Sequence, residues 1–232
     1  MGATEFEESG PAAVPAHGPE VDLGTRLRAE RLRQKMSLRE MARRLGLSAS
    51  ALSQIETGKT QPSVSKLFDI VNLLDISLDG LLAGSPERPP RGPDSAAAAG
   101  GRSAASAGPP PHGYGTEGFF SLQHWGEHET LELHSGVEWR RLTAGSLPGV
   151  EFLHVTYPPG ACSSQDGEFM RHAGQEFGYV LSGRLVVDIG FDSHELGTGD
   201  SISFPATTPH RLGNPGAEPT TVVWCVLGRH SH

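Results

Sequence analysis

The first third of the chain alternates apolar and polar residues at helical spacing. Between Val21 and Leu82, apolar residues recur every three or four positions, which is the period of an amphipathic helix. Signals that begin and end helices divide this stretch into five predicted helices. They run over residues 22–35, 37–45, 48–57, 63–74 and 77–82. The pattern predicts a small helical bundle.

Serine and glycine residues mark the predicted helix ends. In Ser37-Leu38-Arg39-Glu40, the serine hydroxyl can accept a backbone N–H while the Glu40 carboxylate reaches back, which is a capping box. Gly46 then supplies the tight turn that a helix pair needs, and Gly58 ends the third helix. Two short helices joined by a glycine turn and framed by other helices form a helix-turn-helix arrangement.

The pattern changes from Phe119 onward. Short β-branched and aromatic runs follow one another, separated by Gly, Pro and Asp, which is typical of an all-β sandwich or barrel. Residues 85–117 have almost no large apolar side chain and predict a flexible linker. Residues 1–20 are acidic, rich in Gly, Pro and Ala, and predict a disordered tail. The two domains are therefore predicted at 21–84 and 118–232.

Composition excludes several classes of protein. Hydrophobic residues make up 36% of the 232 residues, and no run approaches the roughly 18 apolar residues of a membrane helix. The N-terminus lacks the basic start and apolar stretch of a signal peptide. Only two cysteines occur, Cys162 and Cys225, which argues against a disulfide framework, and they lack the Cys-x-x-Cys spacing of a redox site. We expect a cytoplasmic protein with free thiols and no membrane association.

The net charge of −8 hides a difference between the two halves. Residues 22–84 contain ten Lys and Arg against seven Asp and Glu. Residues from 112 onward contain six Arg against fourteen Asp and Glu. A basic helical half inside an acidic protein indicates that this half works near an anionic polymer.

Residues 38–63, which read LREMARRLGLSASALSQIETGKTQPS, resemble the helix-turn-helix of the phage-repressor-like (XRE) regulator family. The resemblance implies double-stranded operator DNA as the partner, with the third predicted helix in the major groove. We expect base contacts from Ala49, Ser50, Ser53 and Gln54. We expect phosphate contacts from Ser37, Arg39, Arg43, Ser48 and Lys59. The alternative is a helical bundle whose Arg residues form a solvated face.

Two motifs of the β half are similar to those of the cupin family, a small double-stranded β-barrel. The first spans residues 160–183, and the second spans residues 199–214. The residues that match the family pattern are His172, Glu176, Gly183, Pro205, His210 and Asn214. The family usually has His-x-His in its first motif, and Met170 stands at the first of these positions.

The resemblance implies a divalent metal held inside the barrel. Without the first His, the set that remains is His172, Glu176 and His210, which are the ligand types of non-haem Fe(II) oxygenases. One interpretation is a divalent ion such as Fe, Mn, Ni or Zn. The other is that the metal site is lost, and that these residues and Met170 line a pocket for an organic ligand.

Together these features predict an α + β protein of two domains, a five-helix helix-turn-helix bundle followed by a cupin double-stranded β-barrel. The pair resembles one-component bacterial regulators, so we expect a homodimer, no enzymatic activity, and a cupin domain that senses a small-molecule effector. The linker favours a tethered sensor, because a site shared between domains needs close docking. We expect the barrels to pair at Val222, Val223 and Trp224, or near Trp139.

Two alternatives stay open at this point. One is a mononuclear non-haem iron enzyme resembling hydroxypropylphosphonate epoxidase, which also combines a helical domain with a site of two His and one Glu. The other is a DNA-binding protein whose barrel serves only for dimerisation. Fold analogy does not establish an activity.

Overall fold

The computed structural model describes residues 22–76, 78, 81, 122–144, 147, 149–164 and 167–228. The predicted tail at 1–20 and the predicted linker at 85–117 lie outside the described residues. Within the described part, the N-terminal half is helical and the C-terminal half is built of strands. None of the described helices is long and apolar enough to cross a membrane.

The helices begin close to the positions that the sequence predicts, three of them at serine caps and the first at an aspartate cap. They are α1 (Leu23–Arg33), α2 (Leu38–Arg44), α3 (Ala49–Glu56) and α4 (Val64–Leu74). At each start, a side-chain oxygen accepts the backbone N–H three residues later, which satisfies one of the free N–H groups of the first turn. The four capping residues are Asp22, Ser37, Ser48 and Ser63.

The described residues contain four α-helices, not the five that we predict. α4 ends where Asp75 adopts a left-handed conformation with a φ of 49°, which breaks the helical path. Ser77 and most of the predicted fifth helix lie outside the described residues. Within that range, Leu78 and Leu81 are helical and buried.

An ion pair crosses the helical core. Arg31 of α1 donates two hydrogen bonds to the Glu56 carboxylate at the end of α3, at 2.6 and 2.8 Å. Its third donor reaches the Met36 carbonyl oxygen at 2.8 Å. Both side chains are almost fully buried, with 7% and 4% exposure. The pair therefore fixes α1 against the helix that we predict to read DNA.

The described residues of the β half form nine strands in two antiparallel sheets. The strands are β1 (Thr130–Glu132), β2 (Glu138–Arg141), β3 (Val150–Tyr157), β4 (Gln175–Ser182), β5 (Arg184–Ile189), β6 (Asp192–Gly197), β7 (Ser201–Pro205), β8 (His210–Gly213) and β9 (Thr220–Leu227). The larger sheet has the order β1-β2-β3-β9-β4-β7, and the smaller has the order β6-β5-β8.

The described strands do not form the closed barrel that we predict. β7 is an edge of the larger sheet and β8 is an edge of the smaller one, and the two are not paired with each other. Isolated bridges supplement the ladders, including Cys162 with Gly213 and Met170 with His210. The arrangement among the described residues is therefore a two-sheet sandwich with its core between the layers.

Side-chain alternation corrects the predicted dimer surface. Val222 and Trp224 on β9 are buried, as is Trp139 on β2. Successive residues of a strand point to opposite faces of the sheet, so only Val223 of the predicted β9 trio faces outward. The buried residues line the core and are not available to a partner.

Helix α4 docks on the β half. The Ser65 N–H donates to the Ser163 carbonyl oxygen at 2.9 Å, and the His134 N–H donates to the Pro62 carbonyl oxygen at 3.0 Å. The Phe68 ring meets the Trp139 ring edge-on, with their centroids 5.8 Å apart. The expectation of a merely tethered sensor is therefore wrong, because the two halves share an interface.

Candidate DNA-binding face and ligand pocket

Helix α3 presents a polar face to solvent. It buries Leu52, Ile55 and Glu56 against the bundle and leaves Ser50 and Gln54 exposed. None of the nine residues predicted to contact DNA is buried, and only Ala49 and Ser53 are half-buried. The exposed members are Ser37, Arg39, Arg43, Ser48, Ser50, Gln54 and Lys59. Since α4 makes the contacts with the β half, this face of α3 is open to a duplex.

The predicted capping box forms only in part. The Ser37 hydroxyl accepts the Glu40 N–H at 3.1 Å, as predicted. The Glu40 carboxylate instead pairs with Arg43 at 2.9 Å and Arg44 at 2.7 Å. These hydrogen bonds hold the pKa of Glu40 below its ordinary value. An exposed ion pair is weak, so the Arg43 guanidinium can exchange this carboxylate for a phosphate.

The cupin motif residues converge from three places in the β half. Glu176 lies on β4 of the larger sheet and His210 begins β8 of the smaller one. His172 lies just before β4, where its N–H donates to the Ala206 carbonyl oxygen at 3.1 Å. One ligand-type atom from each of the three side chains lies within 4.8 Å of the others.

The two imidazoles point the same nitrogen at the carboxylate. His172 Nδ1 lies 3.0 Å from the Ala173 carbonyl oxygen, and His210 Nδ1 lies 2.8 Å from the Thr208 carbonyl oxygen. A carbonyl oxygen only accepts, so each Nδ1 carries a proton and each Nε2 faces the Glu176 carboxylate. These Nε2 atoms lie 2.6 and 3.1 Å from Glu176 Oε1.

The two Nε2 atoms are close to Glu176 Oε1, but neither forms a well-aligned hydrogen bond with it. Both Nε2 atoms are buried without a hydrogen-bond partner of good geometry. The aligned donor to Glu176 is instead Trp224, whose Nε1 lies 2.9 Å from the other carboxylate oxygen. Two imidazole nitrogens and one carboxylate oxygen therefore converge on one point, which is the arrangement of a metal-ligand set.

Electrostatics keep Glu176 charged. Burial alone raises the pKa of this carboxyl, but the two imidazoles beside it outweigh burial and bring the pKa to about 2. Burial lowers the pKa of His210, and the neighbouring Glu176 more than compensates and raises it. The donor set is thus a carboxylate and two imidazoles, and it fits a divalent ion such as Fe, Mn, Ni or Zn.

A small cavity lies beside Glu176, whereas His172 and His210, which are also predicted to line a pocket, are not among its wall residues. It offers about 20 Å³ to the centre of a water molecule, which is room for about one water. Met170 and Glu176 line it together with mainly apolar side chains from both sheets. Val64 and Phe68 of α4 complete the wall, so the cavity lies at the junction of the two halves.

Several residues that line the cavity are not predicted from the sequence. Phe68 is not assigned to the buried stripe of the fourth helix, although it is four residues from Val64 and three from Val71, which is helical spacing. Trp139, Glu151 and Tyr157 also line the cavity. Alternation along a strand shows which side chains share a face, but which face points to the core is known only once the strands are aligned. The sequence near these residues therefore does not identify them as pocket residues.

Comparisons with known families agree with this division of the chain. Residues 27–81 match the helix-turn-helix family, and residues 153–226 match the cupin domain family. The first range contains α3 and the second contains all three converging residues.

Curated relatives include transcriptional regulators. The chain is 27% identical over 194 residues to the HTH-type transcriptional regulator PuuR of Escherichia coli, which covers 84% of this chain and 88% of the relative. It is 46% identical over 52 residues to the uncharacterized HTH-type transcriptional regulator y4dL of Sinorhizobium fredii, covering 22% of this chain and 26% of the relative.

Solved structures show the fold. An HTH_3 family transcriptional regulator from Vibrio cholerae has a TM-score of 0.56 and 17% identity, and the match covers 90% of this chain and 97% of that one. Hydroxypropylphosphonic acid epoxidase from S. wedmorenis has a TM-score of 0.40 and 19% identity, with 89% and 97% coverage. The second likeness is too low to carry an argument for catalysis. The enzyme alternative is therefore the weaker one.

Proposed function

We propose that this chain, an XRE-type helix-turn-helix transcriptional regulator with a cupin domain, binds operator DNA through α3 and an effector through the cupin pocket. The observation that carries this proposal is the solvent-exposed polar face of α3, with Ser50 and Gln54 on it. We place the protein in the cytoplasm, where DNA is accessible, and assign it no enzymatic activity.

The predicted DNA contacts fall into two groups, those to base edges and those to phosphates. Ala49, Ser50, Ser53 and Gln54 read base edges, and the Gln54 amide is suited to a bidentate contact with adenine. Ser37, Arg39, Arg43, Ser48 and Lys59 contact phosphates and set the register of the helix without reading sequence.

The test uses an operator selected from random duplexes with the full chain. Gln54→Ala is expected to cost about 1–3 kcal/mol on that operator and to relax specificity at one position. Lys59→Ala is expected to weaken binding to all duplexes alike and to reduce the salt slope by about 1. Arg28→Ala removes the same charge from an exposed site outside the predicted face and serves as the control. Unchanged affinity in both test variants contradicts the assignment.

The effector part assigns His172, Glu176 and His210 as ligands of a divalent ion. A bound ion supplies an open coordination position for an oxygen or nitrogen donor of a small-molecule effector. The chain orients the two imidazoles through the Ala173 and Thr208 carbonyls and the carboxylate through Trp224. Met170 contributes a wall of the pocket and not a ligand.

Metal analysis of freshly purified protein tests this site. We expect about one divalent ion per chain in the wild type and loss of that ion in His210→Ala, because three protein ligands fall to two. His194→Ala removes an exposed imidazole of β6 and is expected to retain the ion. Equal metal content in His210→Ala and wild type contradicts the assignment.

We further propose a homodimer through the outer face of the larger sheet. Exposed apolar side chains cluster there: Phe152, Phe177, Tyr179, Leu181 and Leu227. Phe152 and Phe177 flank Cys225, and both are paired with it in the ladder, so the cluster crosses three adjacent strands. A contiguous apolar patch of this kind is typical of an interface. A dimer also places two α3 helices on half-sites about 34 Å apart.

Sedimentation equilibrium of charge variants tests the dimer. Phe177→Glu puts a charge in the middle of the patch and is expected to yield monomers with unchanged secondary structure. Phe191→Glu is the matched control, because Phe191 is fully exposed at the β5–β6 turn, outside the patch. A wild-type monomer at micromolar concentration, or a dimer that survives Phe177→Glu, refutes this interface.

A further inference from the structure

The aromatic ring of Phe68 covers one of the proposed metal ligands. Phe68 and His172 are stacked, with ring centroids 4.4 Å apart and an interplanar angle of 7°. Phe68 comes from the DNA-binding half, and His172 comes from the cupin half. A metal-ligand candidate is therefore in direct contact with a helix of the DNA-binding bundle.

The contact closes the pocket. The His172 and His210 side chains have no exposed surface, and the Glu176 side chain is 2% exposed. Val64 and Phe68 form part of the wall of a cavity with room for about one water. An organic molecule with several heavy atoms does not fit this space unless a wall residue moves.

Helix α4 is the wall that can move as a unit. Its backbone is joined to the β half by the hydrogen bond from Ser65 to Ser163, and the neighbouring Pro62 accepts one from His134. Most of the remaining wall residues belong to strands that are paired on both sides, such as β3 and β9. The exceptions are Leu212 on the edge strand β8, and Met170, which is held by an isolated bridge to His210. Displacing a helix breaks few backbone hydrogen bonds, whereas displacing an interior strand breaks a whole ladder.

We propose that α4 is the lid of a composite pocket: an organic effector enters by displacing Phe68 from His172, and this displacement moves the DNA-binding helices. This proposal rests on the effector site proposed above and assigns it a specificity-determining residue from the other domain. α3 and α4 share the helical core, so motion of α4 relative to the β half changes the position of α3. The ligand class is a small molecule with apolar groups facing the aromatic wall and a donor atom facing the ion.

Chemical access to His172 in the full chain, freed of metal with a chelator, tests the lid. Diethyl pyrocarbonate acylates neutral imidazole nitrogens, and peptide mass spectrometry locates the modified residue. The apparent rate scales with the fraction of molecules in which the site is open, so we expect Phe68→Ala to raise the His172 rate about tenfold or more. Leu73→Ala is the matched control, because Leu73 is a half-buried residue of α4 that does not line the cavity. Phe68→Leu keeps an apolar side chain and replaces Phe68→Ala if the latter does not fold.

A second experiment tests whether ligand binding in the pocket moves α4. Hydrogen exchange at the Ser65 amide reports the contact of α4 with the β half. The added ligand is Co²⁺ together with imidazole, and the absorbance of cobalt shows whether the metal is bound. We expect bound Co²⁺–imidazole to speed Ser65 exchange about tenfold in the wild type and to change little in Phe68→Ala, whose lid is already open.

The outcomes separate the two proposals. Equal His172 modification in Phe68→Ala, Leu73→Ala and wild type overturns the lid, and so does unchanged Ser65 exchange when cobalt absorbance shows that the probe is bound. If the wild type binds no Co²⁺, the metal assignment fails, and the diethyl pyrocarbonate rates alone decide the lid.

Discussion

Removing one member of the buried ion pair between Arg31 and Glu56 is expected to destabilise the helical domain strongly. Glu56→Ala leaves the Arg31 guanidinium with the Met36 carbonyl as its remaining described partner, in a core where its side chain is 7% exposed. Breaking a buried pair by removing one member costs about 3–5 kcal/mol. Domains of this size have a total stability of about 5–15 kcal/mol, so this loss is a large fraction of it.

Urea unfolding followed by circular dichroism at 222 nm measures the effect, because the four helices dominate that signal. The control is Glu40→Ala, which removes the exposed pairs with Arg43 and Arg44 and is expected to change the stability only slightly. The double variant Arg31→Met with Glu56→Leu is expected to recover most of the lost stability, because it leaves no buried charge.

The free energies of unfolding of the three variants show whether a buried, unpaired charge causes the loss of stability. A loss in Glu56→Ala of less than about 1 kcal/mol, close to that of Glu40→Ala, shows that the pair is not effectively buried. A double variant as unstable as Glu56→Ala refutes the claim that an unpaired charge causes the loss. Operator binding is expected to fall in parallel with stability, since Glu56 is the last residue of α3.

Three further changes have definite expected results. Gly178→Ala places a methyl group into the Trp224 ring, displaces the indole that donates to Glu176, and is expected to weaken Co²⁺ binding measured by titration about tenfold. Asn214→Ala removes hydrogen bonds to three backbone groups and is expected to cost about 1–3 kcal/mol of cupin stability in thermal unfolding. Ser48→Ala removes the α3 cap and is expected to cost about 1 kcal/mol, seen as a lower urea midpoint.

Local signals in the sequence predict the helical domain well. A cap such as Ser37 or Ser48 acts within three residues, and a turn glycine such as Gly46 acts at its own φ, which is +66°. Since these effects depend on neighbouring residues alone, the helix starts follow from the sequence. The fifth helix lies mostly outside the described residues and stays a prediction.

The convergence of His172, Glu176 and His210 also follows from the resemblance of the two motifs to the cupin family, which implies these positions on or beside strands. The closure of the pocket by Phe68 cannot be predicted from the sequence. Phe68 and His172 are far apart in the chain, and each has an ordinary local role, one on a helix and one before a strand. Only the docking of α4 brings them together, and a linker composition that suggests independent domains gives no sign of it. The same holds for Trp139 and Trp224, whose inward orientation depends on strand register.

Because α4 serves the core of one domain and the wall of the other, the two halves are not interchangeable modules. A chimera that joins this cupin sequence to the DNA-binding domain of another regulator would inherit whatever side chain that donor carries at position 68. Such a hybrid would recognise its borrowed operator yet respond poorly to the original signal. We therefore expect substitutions on α3 to change the operator preference with less damage to the proposed response than exchange of the entire helical domain.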